Sequence, residues 1–180
     1  EPMNASALRP CVFFDRDGIV NRSPGPGYVE RVEDFHLLPE FVAALRVVQQ
    51  RGYEAVIITN QRGVGKGQMT QATLDAIHGQ LREQLAQAGL ALRAIYVCTS
   101  LDRADPMLKP QPGMIQQAAR DHQLDLARSW MVGDNETDVL AGQRAGCRTL
   151  LVRAGAEPTV AEHRLATLAE LAPFLERHLT

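Results

Sequence analysis

Five short apolar runs alternate with amphipathic stretches along this chain of 180 residues, and that alternation limits the fold more than any other feature. The runs at 11–14, 53–58, 94–98, 130–132 and 148–152 are each bounded by turn or charged residues and read as buried strands. Between them, residues 40–51 place Phe41, Ala44, Leu45 and Val48 at helical spacing and stop at Gly52. Thr70 opens a longer helix through Leu74, Ile77, Leu81 and Leu85 to Gly89. Residues 113–122 and 137–145 predict two further helices, and 158–178 a terminal helix pair. Strands that alternate with helices require right-handed crossovers. The expected class is therefore α/β, a Rossmann-like doubly wound parallel sheet with helices on both faces.

Length and composition set the outer bounds. A chain of this size can bury one sizeable core, so a single domain over 1–180 is expected, with 1–9 as a tail and 21–38 as a loop excursion rich in Pro and Gly. Glu1-Pro2-Met3-Asn4 reads as a remnant ahead of a start methionine. No signal-peptide pattern or membrane-length apolar run is present, and Cys11, Cys98 and Cys147 are odd in number and far apart. These features point to a reducing, cytoplasmic setting without membrane partners. Of 19 basic residues only Lys66 and Lys109 are lysines, and the arginines are scattered. A net charge of -2 with no basic stripe gives no nucleic-acid footprint.

Chemistry-bearing residues gather where successive strands end. Asp15-Arg16-Asp17-Gly18 closes the first run, Thr59-Asn60-Gln61 the second, Lys109-Pro110 follows the third, and Gly133-Asp134 with Asp138 follows the fourth. A parallel sheet brings all these ends to one edge, where open α/β folds hold their ligands. Singly, each has a bland reading as a turn, a cap or a solvated charge. A calcium loop is a poor fit, because Gly18 stands fourth rather than sixth and a strand precedes it. Gly63-Val64-Gly65-Lys66-Gly67 fails as a phosphate-binding P-loop, because Asn60 stands where the first Gly is needed. The five histidines show no ligand spacing.

Taken together and in this chain order, the four motifs resemble those of the haloacid dehalogenase-like phosphohydrolases over residues 10–152. The finer resemblance, through Asp-Arg-Asp-Gly-x-x-Asn, Gly27-Tyr28-Val29, Thr59-Asn60-Gln61-x-Gly63 and Lys109-Pro110-x-Pro112-Gly113, is to the heptose-bisphosphate and histidinol-phosphate phosphatases. It implies a capless enzyme with only the 21–38 flap over its site. Asp15 would be the nucleophile that forms an aspartyl-phosphate, and Asp17 the general acid and base. Thr59, Asn60 and Lys109 would bind phosphate. A magnesium ion would sit on Asp15, Asp134 and the backbone carbonyl of Asp17, with Asp138 behind them orienting Lys109 or a metal-bound water.

Tyr28, Gln61, Arg62 and Asn135 are expected to meet the substrate, a small phosphorylated molecule such as a sugar phosphate handled by a monomeric enzyme. Two departures stand out. The 99–108 loop has no Cys or His for the structural zinc such relatives carry, so none is expected, and Leu108 replaces the usual Arg before the lysine. Arg62, Arg103 or Arg22 would have to supply that guanidinium. The resemblance implies D-glycero-D-manno-heptose 1,7-bisphosphate as the sugar phosphate; a histidinol-phosphate phosphatase, a DNA 3'-phosphatase, as in polynucleotide kinase-phosphatases, and a non-enzymatic phospho-receiver remain as alternatives at this stage.

Overall fold

The strands of the computed structural model, which describes residues 7–180, lie in the order β3-β2-β1-β4-β5-β6 and are all parallel. They are β1 (Cys11–Phe14), β2 (Glu54–Asn60), β3 (Ala94–Cys98), β4 (Trp130–Gly133), β5 (Arg148–Val152) and β6 (His163–Leu165). The helices are α1 (Pro39–Gln50), α2 (Arg62–Gly65), α3 (Gln71–Gln87), α4 (Gly113–His122), α5 (Glu136–Ala145) and α6 (Leu171–His178). The first six residues of the expected tail, Met3 among them, lie outside the described residues.

Central strands of such a sheet are covered on both faces and therefore read as continuous apolar runs rather than alternating ones. Val12 and Phe14 of β1 pack with α1 and α6 in one buried cluster, which includes Phe41, Leu45, Trp130 and Phe174. Cys11 and Phe13 point the other way, into a second cluster with Met114, Ile115 and Ala118 of α4 and Ala141 of α5. The Phe14 and Phe41 rings meet edge to face at 5.1 Å, as do Trp130 and Phe174 at 5.5 Å.

Two differences from the sequence reading have clear causes. Strand β2 runs two residues past Ile58, because Thr59 and Asn60 continue the ladder opposite Val97 and Cys98 of β3. The expected terminal helix pair is instead the strand β6, a 3-10 turn at Leu168–Glu170 and α6. Thr159 and the Val160 amide bond the Glu136 carboxylate, and the Glu162 amide donates to Thr149 Oγ1. This stretch is thereby laid along the open edge of β5, whose backbone groups need partners.

The chain builds β1, β2 and β3 outward in one direction and then returns to place β4 on the other side of β1. The reversal of strand order opens a crevice beyond the C-terminal ends of β1 and β4. Asp15 and Asp134 stand at those two ends. Residues 15–38 carry only a 3-10 turn at Val32–Asp34, so no cap of regular structure roofs the crevice. The excursion is nevertheless anchored: the Arg22 amide donates to the His36 carbonyl, the Leu38 amide to that of Val20, and Val29 and Phe35 are buried.

Phe174→Ala is expected to cost about 3–5 kcal/mol, since it leaves a cavity against Trp130. Urea denaturation followed by tryptophan fluorescence checks this; an unshifted midpoint would mean that α6 does not contribute to the core.

Candidate active site

Lys109, in the loop after β3, is the best-connected group at the sheet edge. Its buried Nζ donates to Asp15 Oδ1 at 2.8 Å, to Asp138 Oδ1 at 2.7 Å and to the Ile58 carbonyl at 2.9 Å, which uses all three N–H bonds. Burial alone would lower its pKa, but the Asp138 and Asp15 carboxylates outweigh burial and hold it above the ordinary lysine value. Asp138 also takes the Asn135 amide on Oδ2, in a capping box that opens α5. Only glycine fits at the end of β4, because a Cβ on Gly133 would come within 2.3 Å of Asp138 Cβ.

Asp17 occupies a different environment. Its Oδ1 accepts from Arg16 Nε at 3.0 Å, Arg16 Nη2 at 2.9 Å and Asn21 Nδ2 at 2.9 Å, while Oδ2 accepts only from Gln61 Nε2, at 3.2 Å. Arg16 is 0% exposed, and its Nη1 lies 3.0 Å from His78 Nε2 on α3. Arginine can only donate, so this ring nitrogen is the unprotonated one. Burial first, then Arg16 and Arg82, lowers the His78 pKa to about 4, which keeps the ring neutral and able to accept. Phe35 lies over the Arg16 guanidinium at 5.7 Å, so the anchored excursion also seals this assembly.

Asp134 faces Asp15 across the crevice. Gly18 permits this approach, since it has φ +91 and an added Cβ would fall 2.1 Å from Asp134 Oδ2. Burial, then the negative charges of Asp15 and Asp138, raises the Asp134 pKa to about 8. The Asp138 pKa rises to about 6, again mainly through burial and Asp15, while Lys109 pulls it down. Oxygen atoms of Asp15, Asp134 and Asp138 lie within 4.8 Å of one another. Both oxygens of Asp138 are already bonded, so Asp15 and Asp134 are left as a hard donor pair suited to a small divalent cation.

A cavity of about 160 Å3 joins Asp15, Asp17, Thr59, Asn60, Lys109 and Asp134. Thr59 is buried and its Oγ1 accepts from Gln61 Nε2 at 2.9 Å. The Asn60 side chain exchanges two bonds of 3.1 Å with the backbone of Lys109, so a residue that lines the cavity also fixes the lysine. Gln61 is 0% exposed and lies beneath the site instead of at its mouth. The Arg62 guanidinium, expected at the substrate, donates to the carbonyls of Ser100 and Leu101 and braces the loop that carries Lys109. Leu108, where an arginine was expected, is buried in the second core cluster.

Tyr28 packs on Gly63, and its ring lies 5.4 Å from Lys66 Nζ, which links the excursion to α2 and the residue that ends it. Asn135 is exposed and lines the cavity, with its Oδ1 capping Thr137. Sequence reading assigned no role to Arg16, Asn21 or His78. Arg16 lies inside the first motif, but its complete burial depends on α3 and Phe35, which no local spacing reveals.

A family model described as HAD-hydrolase-like matches residues 107–173. The chain is 38% identical over 159 residues to a D-glycero-D-manno-heptose-1,7-bisphosphate 7-phosphatase of Thermosynechococcus vestitus, covering 82% of this chain and 80% of that one. The chain belongs to the haloacid dehalogenase-like phosphatases. A second relative, the D-glycero-alpha-D-manno-heptose-1,7-bisphosphate 7-phosphatase of Photorhabdus laumondii, is 33% identical and covers 88% and 94% of the two chains.

Among solved structures, a D,D-heptose 1,7-bisphosphate phosphatase from Bordetella bronchiseptica, complexed with magnesium and phosphate, has a TM-score of 0.84 at 32% identity. That likeness covers 93% of this chain and 98% of the other. A HAD-like phosphatase from Mesorhizobium loti has a TM-score of 0.82 at 29% identity, over 97% of this chain and 89% of that one. The phosphatase described here is accordingly a phosphoric monoester hydrolase.

The contact between Gly133 and Asp138 gives a direct check. Gly133→Ala should push Asp138 off Lys109 and lower kcat by about a hundredfold or more, the size of effect expected when a group that orients the charged residues at an active site is lost. Steady-state kinetics, with circular dichroism as a folding control, measure it; near-normal kcat would show that the ion pair tolerates displacement.

Proposed function

We propose that this phosphatase removes a phosphate group through an aspartyl-phosphate on Asp15, with Asp17 as proton donor and acceptor and with magnesium as cofactor. The observation that carries the proposal is the unequal treatment of two carboxylates only two residues apart. Asp15 Oδ1 accepts from the Lys109 ammonium at 2.8 Å, which fixes the carboxylate in place for attack. Asp17 has Oδ1 held by three donors, which fixes its carboxylate and leaves Oδ2, bonded only by Gln61 Nε2, as the oxygen open to proton exchange.

In the first half-reaction an Asp15 oxygen bonds to phosphorus as the bond to the leaving oxygen breaks, and Asp17 delivers a proton to that oxygen. In the second, Asp17 takes a proton from water as the water attacks phosphorus, which releases phosphate and restores Asp15. Lys109 and the Thr59 hydroxyl line the cavity, and in this reading they bind phosphate oxygens as charge shifts among them, the Lys109 ammonium exchanging its bond to Asp15 for one to phosphate. Asp15 and Asp134, with the Asp17 backbone carbonyl, would hold the magnesium ion, which offsets the repulsion between carboxylate and phosphate.

The relatives named above support a heptose 1,7-bisphosphate as substrate, with the 7-phosphate removed. The 99–108 loop carries neither Cys nor His and is braced by Arg62 and by turns at Asp102 and Asp105, so we propose that it folds without zinc.

Asp15→Asn is expected to lower turnover at least about a thousandfold. Chelation should stop the parent enzyme, magnesium should restore it, and total metal analysis should return no stoichiometric zinc. Phosphate release from heptose 1,7-bisphosphate, histidinol phosphate and a 3'-phosphorylated oligonucleotide distinguishes the substrate classes. Preference for the oligonucleotide would overturn the sugar-phosphate reading, and activity in Asp15→Asn would exclude the nucleophile.

Arg16→Met separates proton donation from the remaining chemistry. An alkoxide leaving group needs a proton while a nitrophenolate hardly does, so kcat should fall about ten- to a hundredfold for a sugar phosphate and far less for p-nitrophenyl phosphate. Equal losses on both esters would mean that Arg16 acts on folding alone.

A further inference from the structure

The catalytic cavity continues on one side into a groove of about 660 Å3, and the two share Asp134 and Asn135. The groove lies between the start of the excursion, which contributes Arg22 and Ser23, and the residue just past β5, Arg153; Glu40 at the head of α1 completes its polar lining. The rest of the wall is largely aliphatic. A groove of this volume holds a molecule of sugar-phosphate size.

Its two arginines are free of the ties that hold many of the others. Arg16, Arg31, Arg128, Arg148 and Arg164 form ion pairs, and Arg62 is bound to backbone carbonyls. Arg22 and Arg153 are exposed in the groove, and their side chains have no carboxylate or carbonyl partner among the described residues. A guanidinium offers a planar fork of donors that matches phosphate or carboxylate oxygens. Ser23, Glu40 and Asn135 supply donors and acceptors of the kind that sugar hydroxyls use.

We infer that this groove binds the unreacting end of the substrate, a polyhydroxylated carbon chain ending in a second anion that Arg22 and Arg153 grip together. The inference rests on the reading above, in which the smaller cavity takes the phosphate that is removed. It explains how an enzyme with Leu108 in the loop before Lys109 can still recognise a substrate with two anions. Of the three arginines considered from sequence, Arg62 is committed elsewhere and Arg22 lines the groove. Arg153, which sequence gave no reason to consider, stands with it.

Binding is measured by calorimetry with magnesium present, in an Asp15→Asn background so that turnover does not intervene. Two ligand pairs are compared: heptose 1,7-bisphosphate with heptose 7-phosphate, and 6-phosphogluconate with glucose 6-phosphate. The first pair tests a terminal phosphate and the second a terminal carboxylate. Arg22→Ala combined with Arg153→Ala should erase the preference for the two-anion member of at least one pair, by about tenfold or more in the ratio of Kd values. Arg22→Lys with Arg153→Lys should retain part of that preference, which separates lost charge from lost folding.

A ratio that stays within about twofold of the parent in both pairs, or no preference in the parent, overturns the groove. Failure of the heptose assignment is read separately, from the absence of phosphate release from either heptose ester by the enzyme with Asp15 intact. The groove still stands in that case if the carboxylate pair responds.

Discussion

The buried ammonium of Lys109 is the interaction around which the rest of the site is arranged. Its side chain is 3% exposed, yet its three N–H bonds end on groups from the exit of β1, the interior of β2 and the first turn of α5. These partners are distant in sequence, and only the assembled sheet brings them within reach of one atom. The cost of burying the charge is offset because both carboxylates are close and every donor is satisfied. Without the ammonium, Asp15 and Asp138 would face each other in a medium that screens poorly. Order at the catalytic edge therefore requires that the parallel ladder, the Asn60 clasp on the Lys109 backbone and the glycine at the end of β4 all be in place.

A second constraint keeps Asp15 and Asp17 from becoming equivalent. They are two residues apart, but β1 ends just before Asp15 and the chain turns at Gly18, just after Asp17. One carboxylate is thus left beside Asp134 and Lys109, and the other is turned toward Arg16. The arginine is itself held from behind by a histidine that burial keeps neutral. Buried charges are tolerated here because each has a partner of fixed geometry. That requirement extends from the crevice through Arg16 and His78 to the middle of α3.

What could be read from sequence follows the same physics. Asp15, Lys109, Asp134 and Asp138 were legible because each follows an apolar run, and parallel strands bring such positions together regardless of side-chain detail. The hydrogen-bond partners of Asn60, Gln61 and Arg62 were not, because polarity alone does not say which backbone or side-chain groups an amide or guanidinium will meet. The strand β6 was missed for another reason. Leu165, Leu168, Leu171 and Leu175 are three or four residues apart and imitate a helical stripe. The decisive contacts, from Glu136 and Thr149, come from elements earlier in the chain. Local spacing was a good guide where an element packs by its own periodicity and a poor one where an edge strand supplied the missing hydrogen bonds.

The walls of the larger groove come from the excursion, the exit of β5 and the turn before α6, and the last two contribute nothing to the Lys109 ion pairs. Substitutions at 153–154 or 166–168 can therefore accumulate without disturbing the acidic pair or its cation. Enzymes built this way can exchange one metabolite for another by drift in a peripheral segment while the bond-breaking apparatus stays under selection. Relatives with the same four motifs are then expected to diverge first in what they accept and last in what they do to it.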